Sequence, residues 1–378
     1  MEENFLPVVP IIDTEGPSKG RADMFSDWGS LGEDIATLDQ IDRNKILDSF
    51  NNPMVISWFL LDWSGFSEND PEFKRRGHDS RRRHAIWNFY TRTILSLERR
   101  KITGDGVYWH FHHPPKDGSW GWNKNWNDSD WHEHILGTLI LEYSYFPSVY
   151  RAGKYVETNQ SSYWLEKWIP FDYSNVSPVR QEFCDWREAS TSWVPYHPAV
   201  EDYQKKGFMK RVIARSIPVA AKGGSGSLKK EDVVAAFEEV KEGKKAIFSF
   251  HSHDYYKSLR EEFKKSVTII EEVSRHYGIP WKYMSAKKAL CHSLSLVPTS
   301  LKLSVKRENL TFVVKASEPL FGETPFIVIE GTDKTLQRIS ATARESSWEF
   351  HVPKGSSRVG VGAVDMTGAT SVFVRGLL

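Results

Sequence analysis

Residues 107–115 read VYWHFHHPP, which places His110, His112 and His113 within four positions, after an alternating apolar run and ahead of two prolines. Three further stretches carry groups of the same chemical kind. Asp13 and Glu15 lie in IIDTEGP, Arg151 in SVYRAGKY, and His251 and His253 in KAIFSFHSHD. A carboxylate and two imidazoles are ordinary ligands for a borderline divalent ion such as zinc, and they leave positions open for water and substrate. His110 and His112 are two apart, so an extended chain projects them to one side, and Asp13 and Glu15 share that spacing. One acid of that pair is free to bind a metal and the other to act as a base. A bound cation lowers the pKa of its water and polarises a carbonyl, which suits hydrolysis of an amide or ester.

Each of these groups has a plainer reading. A lone histidine at a strand end is usually a hydrogen-bonded core or surface residue, and Asp13 with Glu15 can be a helix-capping pair. His78 and His84 read as a solvated helix start. His132 and His134 diverge on a helix and read as structural. The unusual feature is collective: polar groups of matching type recur at the same end of successive strands, and in an α/β barrel that end is the active face.

The elements that must position these groups follow from periodicity. Strand character marks residues 5–12, 54–63, 106–112, 148–155, 210–219 and 245–251. Helical spacing marks 39–50, 81–99, 131–145, 161–168, 229–241 and 257–277; Gly278 stands at the cap of the last and Pro280 follows. AAKGGSGS, residues 220–227, reads as a flexible loop. Alternating β and α units imply a largely parallel sheet or barrel with helices outside. Beyond residue 292 the pattern turns to period two with turn residues, which predicts an all-β sandwich. The division expected is therefore 1–290 for the barrel and 291–378 for the sandwich.

Composition narrows the function classes. Lys and Arg total 50 against 49 Asp and Glu, so no global field draws the chain to nucleic acid or an anionic membrane. Cys184 and Cys291 have no metal or disulfide spacing and read as reduced thiols. The acidic N-terminus has no signal-peptide pattern, and no run approaches the ~20 apolar residues of a membrane helix, so a cytoplasmic location is expected. Fifteen tryptophans exceed what a core needs. Trp109, Trp120, Trp122, Trp126 and Trp131 crowd the stretch at and after the histidines, where indole faces either stack on a sugar ring or pin a long loop.

The order of the clusters resembles the polysaccharide deacetylases of the NodB-homology type, over roughly residues 5–288. That resemblance implies an irregular (β/α) barrel and a divalent metal, most simply zinc. IIDTEGP resembles the first motif in a DxE form, which makes Asp13 the general base and Glu15 a metal ligand. WHFHHPP resembles the histidine motif in a compact His-x-His form, giving His110 and His112 as ligands, with His113 the alternative to His112. YRAGKY resembles the arginine motif, in which Arg151 holds the base carboxylate, although Ala-Gly stands where Pro-Pro is the family's form. CDWREASTSWVPYHP resembles the Asp–Trp motif, so Asp185 would orient the acid histidine and Trp186 would line the groove. FSFHSHDYY resembles the last motif, with His253 as general acid and His251 on the same face. The implied activity is removal of an N-acetyl group from a sugar, glycan or glycolipid, with Trp109, Trp186 and His251 contacting substrate. Hydrolysis of another acyl, formyl or non-sugar amide or ester group, or sugar binding without catalysis, are the rival readings.

Overall fold

The structure, a computed structural model, describes residues 4–18, 21–61, 85–116, 122–219 and 228–377. The predicted loop 220–227, His78, His84 and Trp120 lie outside the described residues.

Among the described residues, nine parallel strands form the first sheet: β1 (Leu6–Thr14), β2 (Ser57–Leu61), β3 (Gly106–Phe111), β4 (Val149–Ala152), β5 (Phe171–Asn175), β6 (Val212–Arg215), β7 (Ile217–Pro218), β8 (Phe248–His253) and β9 (Trp281–Tyr283). Their order is β6-β5-β4-β3-β2-β1-β8-β7, with β9 added to the start of β1. The two ends of that path are consecutive in the chain, separated by Ser216 alone. Residues 212–218 therefore pair with β5 on one side and with β8 on the other, and this bends the sheet into a barrel.

The helices are α1 (Trp28–Gln40), α2 (Ala85–Arg92), α3 (Leu97–Thr103), α4 (Trp131–Tyr143), α5 (Asn159–Leu165), α6 (Lys230–Lys241), α7 (Leu259–Tyr277) and α8 (Ala286–Ser293). Two helix expectations change. The helix expected at 39–50 ends at Gln40, because Asp27 caps a start further upstream by accepting from the Ser30 N–H. The one expected at 81–99 is two helices among the described residues, since Ser96 caps a second start through the Arg99 N–H. The long helix α7 ends as its sequence dictates, at Gly278 in the left-handed region with φ 64°.

Period-two alternation sorts the barrel strands. On β1, Leu6, Val8 and Ile12 join the large core under the helices, while Val9 and Ile11 face the barrel interior. On β3, Val107, Trp109 and Phe111 face outward and Tyr108 inward. The interior is apolar in its lower part, where Val9, Ile11, Phe59, Tyr108, Val149, Phe171 and Tyr173 meet Ala286, Ala289 and Leu290 of α8. That helix plugs the end at which the strands begin. The next inward positions toward the strands' C-terminal ends are Asp13, His110, Arg151, His251 and His253.

The remaining strands form two four-stranded antiparallel sheets: β10 (Leu303–Glu308), β11 (Thr311–Ala316), β14 (Thr342–Arg344) and β15 (Ser347–His351) in one, β12 (Phe326–Gly331), β13 (Leu336–Ile339), β16 (Ser356–Val364) and β17 (Thr370–Gly376) in the other. Phe312, Val314 and Phe350 of the first pack on Ile327, Ile329, Val359 and Val361 of the second. The second sheet has apolar packing on both faces. Val328 and Phe326 turn the other way, into the core shared with Leu136 and Ile140 of α4. This explains why β12 reads as a continuous apolar run rather than an alternating one.

Candidate metal and catalytic centre

Neighbouring strands bring the polar groups to one level. Asp13 of β1 is in register with His253 of β8, and His110 of β3 with Arg151 of β4. Arg151 is fully buried, and its Nε lies 2.9 and 2.8 Å from the two Asp13 carboxylate oxygens. Its Nη1 donates to the Tyr173 carbonyl, while Nη2 is buried without a hydrogen-bond partner. Burial opposes ionisation of Asp13, but Arg151, then His110 and His253, outweigh it and hold the carboxyl below the ordinary carboxylate value.

Glu15 follows β1 at the same end. Its Oε1 lies 3.0 Å from His112 Nε2, 3.6 Å from His110 Nε2 and 3.5 Å from His253 Nε2. The two imidazole Nε2 atoms of His110 and His112 are 3.0 Å apart. One ligand atom each from Glu15, His110 and His112 therefore falls within 4.8 Å of the others. A tetrahedral zinc ion with bonds of ~2.0–2.1 Å sets its ligand atoms about 3.3 Å apart. Edges of 3.0, 3.0 and 3.6 Å match that figure, so the cluster can hold a metal ion.

The hydrogen bonds behind the imidazoles differ. His110 Nδ1 is 3.1 Å from the Arg151 carbonyl oxygen, which only accepts, so Nδ1 carries the proton and Nε2 keeps its lone pair for a cation. At His112 the partner is the Trp122 indole N–H, a pure donor, 3.0 Å from Nδ1. The neutral His112 ring then carries its proton on Nε2, facing Glu15. A cation held at Nε2 would require the neutral ring to carry that proton on Nδ1 instead, and Trp122 to release Nδ1.

His113 is the histidine the centre does not use. It points away from His112 by strand alternation, stacks on Trp126 with ring centroids 5.0 Å apart, and approaches His132 to 3.4 Å. Burial drives the His113 pKa down to about 4 and that of His132 to about 3. Both are neutral core residues.

Other expected positions fall elsewhere. Trp109 and Trp186 are each 0% exposed. Trp109 lies on the outward face of β3 against Phe111, Tyr150 and Trp164, and Trp186 donates to the Tyr155 carbonyl. Neither lines a groove. Asp185 is not joined to a histidine by any described contact; its carboxylate is 38% exposed and pairs with Arg187 at 2.7 Å. His251 is buried beneath the cluster rather than presented to substrate, held by the Tyr155 hydroxyl at 2.8 Å and the Ser216 hydroxyl at 2.9 Å. Burial, then the charges of Arg151, His253 and His110, keep it far below the ordinary imidazole value and neutral. Among the clustered histidines, His253 alone meets solvent appreciably, with 20% of its side chain exposed.

Three supporting groups escaped the sequence reading. The Asp254 carboxylate accepts from the Glu15 N–H at 2.9 Å, the Gly16 N–H at 3.1 Å and the Tyr90 hydroxyl at 2.7 Å, clamping the turn that carries Glu15. Lys154 and Tyr155 both adopt left-handed backbone, with φ of 51° and 57°, a strained local path that delivers the Tyr155 hydroxyl to His251. Gly153 is the third. A Cβ there would sit 2.1 Å from His112 Cδ2, so only glycine leaves room for the imidazole.

No protein-family model and no curated protein matches the chain. Three solved structures align over 98% of it. A "putative alpha-L-fucosidase" from Bacteroides thetaiotaomicron is 10% identical, with 95% of that chain covered and a TM-score of 0.36. An endo-beta-1,4-mannanase double mutant from Cellulomonas fimi is 12% identical, with 77% covered and a TM-score of 0.26. A carbohydrate acetylesterase from Xanthomonas citri is 10% identical, with 78% covered and a TM-score of 0.16. Scores this low carry no argument about activity, so the functional reading rests on the residues of the centre themselves.

Proposed function

We propose that the chain is a metal-dependent hydrolase that removes an N-acetyl group from a sugar or glycan. The observation that carries this reading is the pairing of Asp13 with fully buried Arg151, directly beside the Glu15–His110–His112 set and the partly exposed His253. A divalent cation, zinc in the simplest case, would polarise the acyl carbonyl and acidify a water. Asp13 stays ionised through Arg151 and takes the proton of the attacking water as the new C–O bond forms. His253 gives a proton to the departing nitrogen as the C–N bond breaks, because an amine leaves poorly unless protonated. His110, with Nδ1 tied to the Arg151 carbonyl, keeps the base and the metal ligands in one rigid frame. In this reading residues 1–290 form the catalytic unit and 291–378 an accessory unit.

Acetate release from N-acetylated chito-oligosaccharides tests it. Asp13→Asn and His253→Ala should each lower release by at least ~100-fold while bound metal is retained. Loss of metal in the Asp13 variant would mean that Asp13, not Glu15, is the ligand. Release from O-acetyl esters but not from amides would redirect the proposal to an esterase.

A further inference from the structure

The opposite end of the barrel carries a charge distribution that the candidate centre does not explain. Two clefts of about 450 and 510 Å³ open there and share Lys101, Gly104, Ser285 and Lys288 as walls, so they form one trough. Arg100, Lys101, Lys287 and Lys288 stand around it, and none has a carboxylate partner among the described residues. Among the described residues of its walls the one acid, Asp105, is buried and consumed by Arg43 at 2.5 Å. In a chain of net charge +1 this is local segregation of cations.

Two more observations lie in the same place. Helix α3, LERRKIT, has no buried residue, and it holds Ile102 at 78% and Leu97 at 54% exposure beside these cations. The Tyr283 hydroxyl, in the trough wall, is buried without a hydrogen-bond partner.

We propose that this face docks on an anionic lipid surface. Headgroup phosphates lie among Arg100, Lys101, Lys287 and Lys288. Leu97 and Ile102 enter the boundary between headgroups and acyl chains. An acidic polysaccharide would satisfy the cations as well, but it gains nothing from an isoleucine standing almost wholly in water. The pairing of unpartnered cations with exposed aliphatic side chains on one short helix favours a membrane. The proposal is independent of the hydrolase reading, since the centre lies at the other end of the strands.

Co-sedimentation of the full chain with phosphatidylcholine vesicles, with and without phosphatidylglycerol, tests it. Binding is expected only to the anionic vesicles, and Lys101→Gln with Lys288→Gln should weaken it about 30-fold, near fivefold per charge. Ile102→Ser should weaken it again while leaving the salt dependence unchanged. Circular dichroism and metal content should be unaltered in all variants. Absence of vesicle binding, equal binding to both vesicle types, or heparin binding that equals vesicle binding with Ile102→Ser silent would each overturn it.

Discussion

Asp13 and Glu15 are two residues apart, yet their surroundings give them opposite partners. Both oxygens of Asp13 face a guanidinium, whereas one oxygen of Glu15 faces three imidazole nitrogens. In the proposed mechanism Arg151 is thus a positioning residue for the Asp13 base. Arg151→Lys places a single charge where Nε now meets both carboxylate oxygens, and a loss of ~100-fold in turnover with metal retained is expected in steady-state assays. Unchanged turnover would remove Asp13 from the mechanism as described. Trp122 makes a subtler case. Its N–H occupies the wrong nitrogen of His112 for a metal ligand, so Trp122→Phe should tighten metal binding by ~10-fold in a chelator competition. Weaker binding in that variant would show that the indole orients His112 for the cation instead.

At the scale of elements, strand ends do the positioning, and this was legible from alternation. Asp13, His110, Arg151 and His253 came out of sequence spacing because strand period two and a common strand end suffice to bring them together. The choice between His112 and His113 did not, because it depends on where the chain leaves β3 and turns. The expected substrate contact of Trp109 failed for a related reason. Trp109 sits one position from His110, and one position is the other face of the sheet. Gly153, without a side chain, vacates the volume the His112 ring fills. Gly153→Ala should therefore weaken metal binding ~10–100-fold, measured by calorimetric titration, with little change in secondary structure.

The His113–His132 contact between the segment that follows β3 and α4 gives a pH prediction. The His132 pKa is lowered from 6.5 to about 3, by burial first and then by His113 and Arg338. Protonation thus favours the unfolded chain. The stability that neutral His132 provides is complete above pH 6.5 and is lost as pH falls toward 3, by ~1.4 kcal/mol per pH unit for each such proton. His132→Phe should flatten the pH dependence of the denaturation midpoint over that window. An unchanged slope would mean that His132 is not shielded from protons.

At the scale of the whole molecule, the second antiparallel sheet is clamped between its partner sheet and the barrel. The clamp is close because small residues line it. A Cβ on Gly362 would lie 2.3 Å from Phe146, on Gly360 2.6 Å from Ile140, and on Gly137 2.8 Å from Val328. Ion pairs Arg338–Glu133 and Arg358–Glu142, each at 2.6 Å, flank it. Gly362→Val should cost ~1–3 kcal/mol by overpacking, seen as a lower unfolding midpoint with the metal centre intact. An unshifted midpoint would mean that the sheet does not rest on α4.

Metal binding by Glu15, His110 and His112 is open to elemental analysis of the purified protein. Wild-type protein should carry close to one equivalent of a divalent cation after exposure to zinc and desalting. The His110→Ala, His112→Ala variant, folded by circular dichroism, should carry almost none. Equal and near-zero metal in both would mean that these three residues hold no cation.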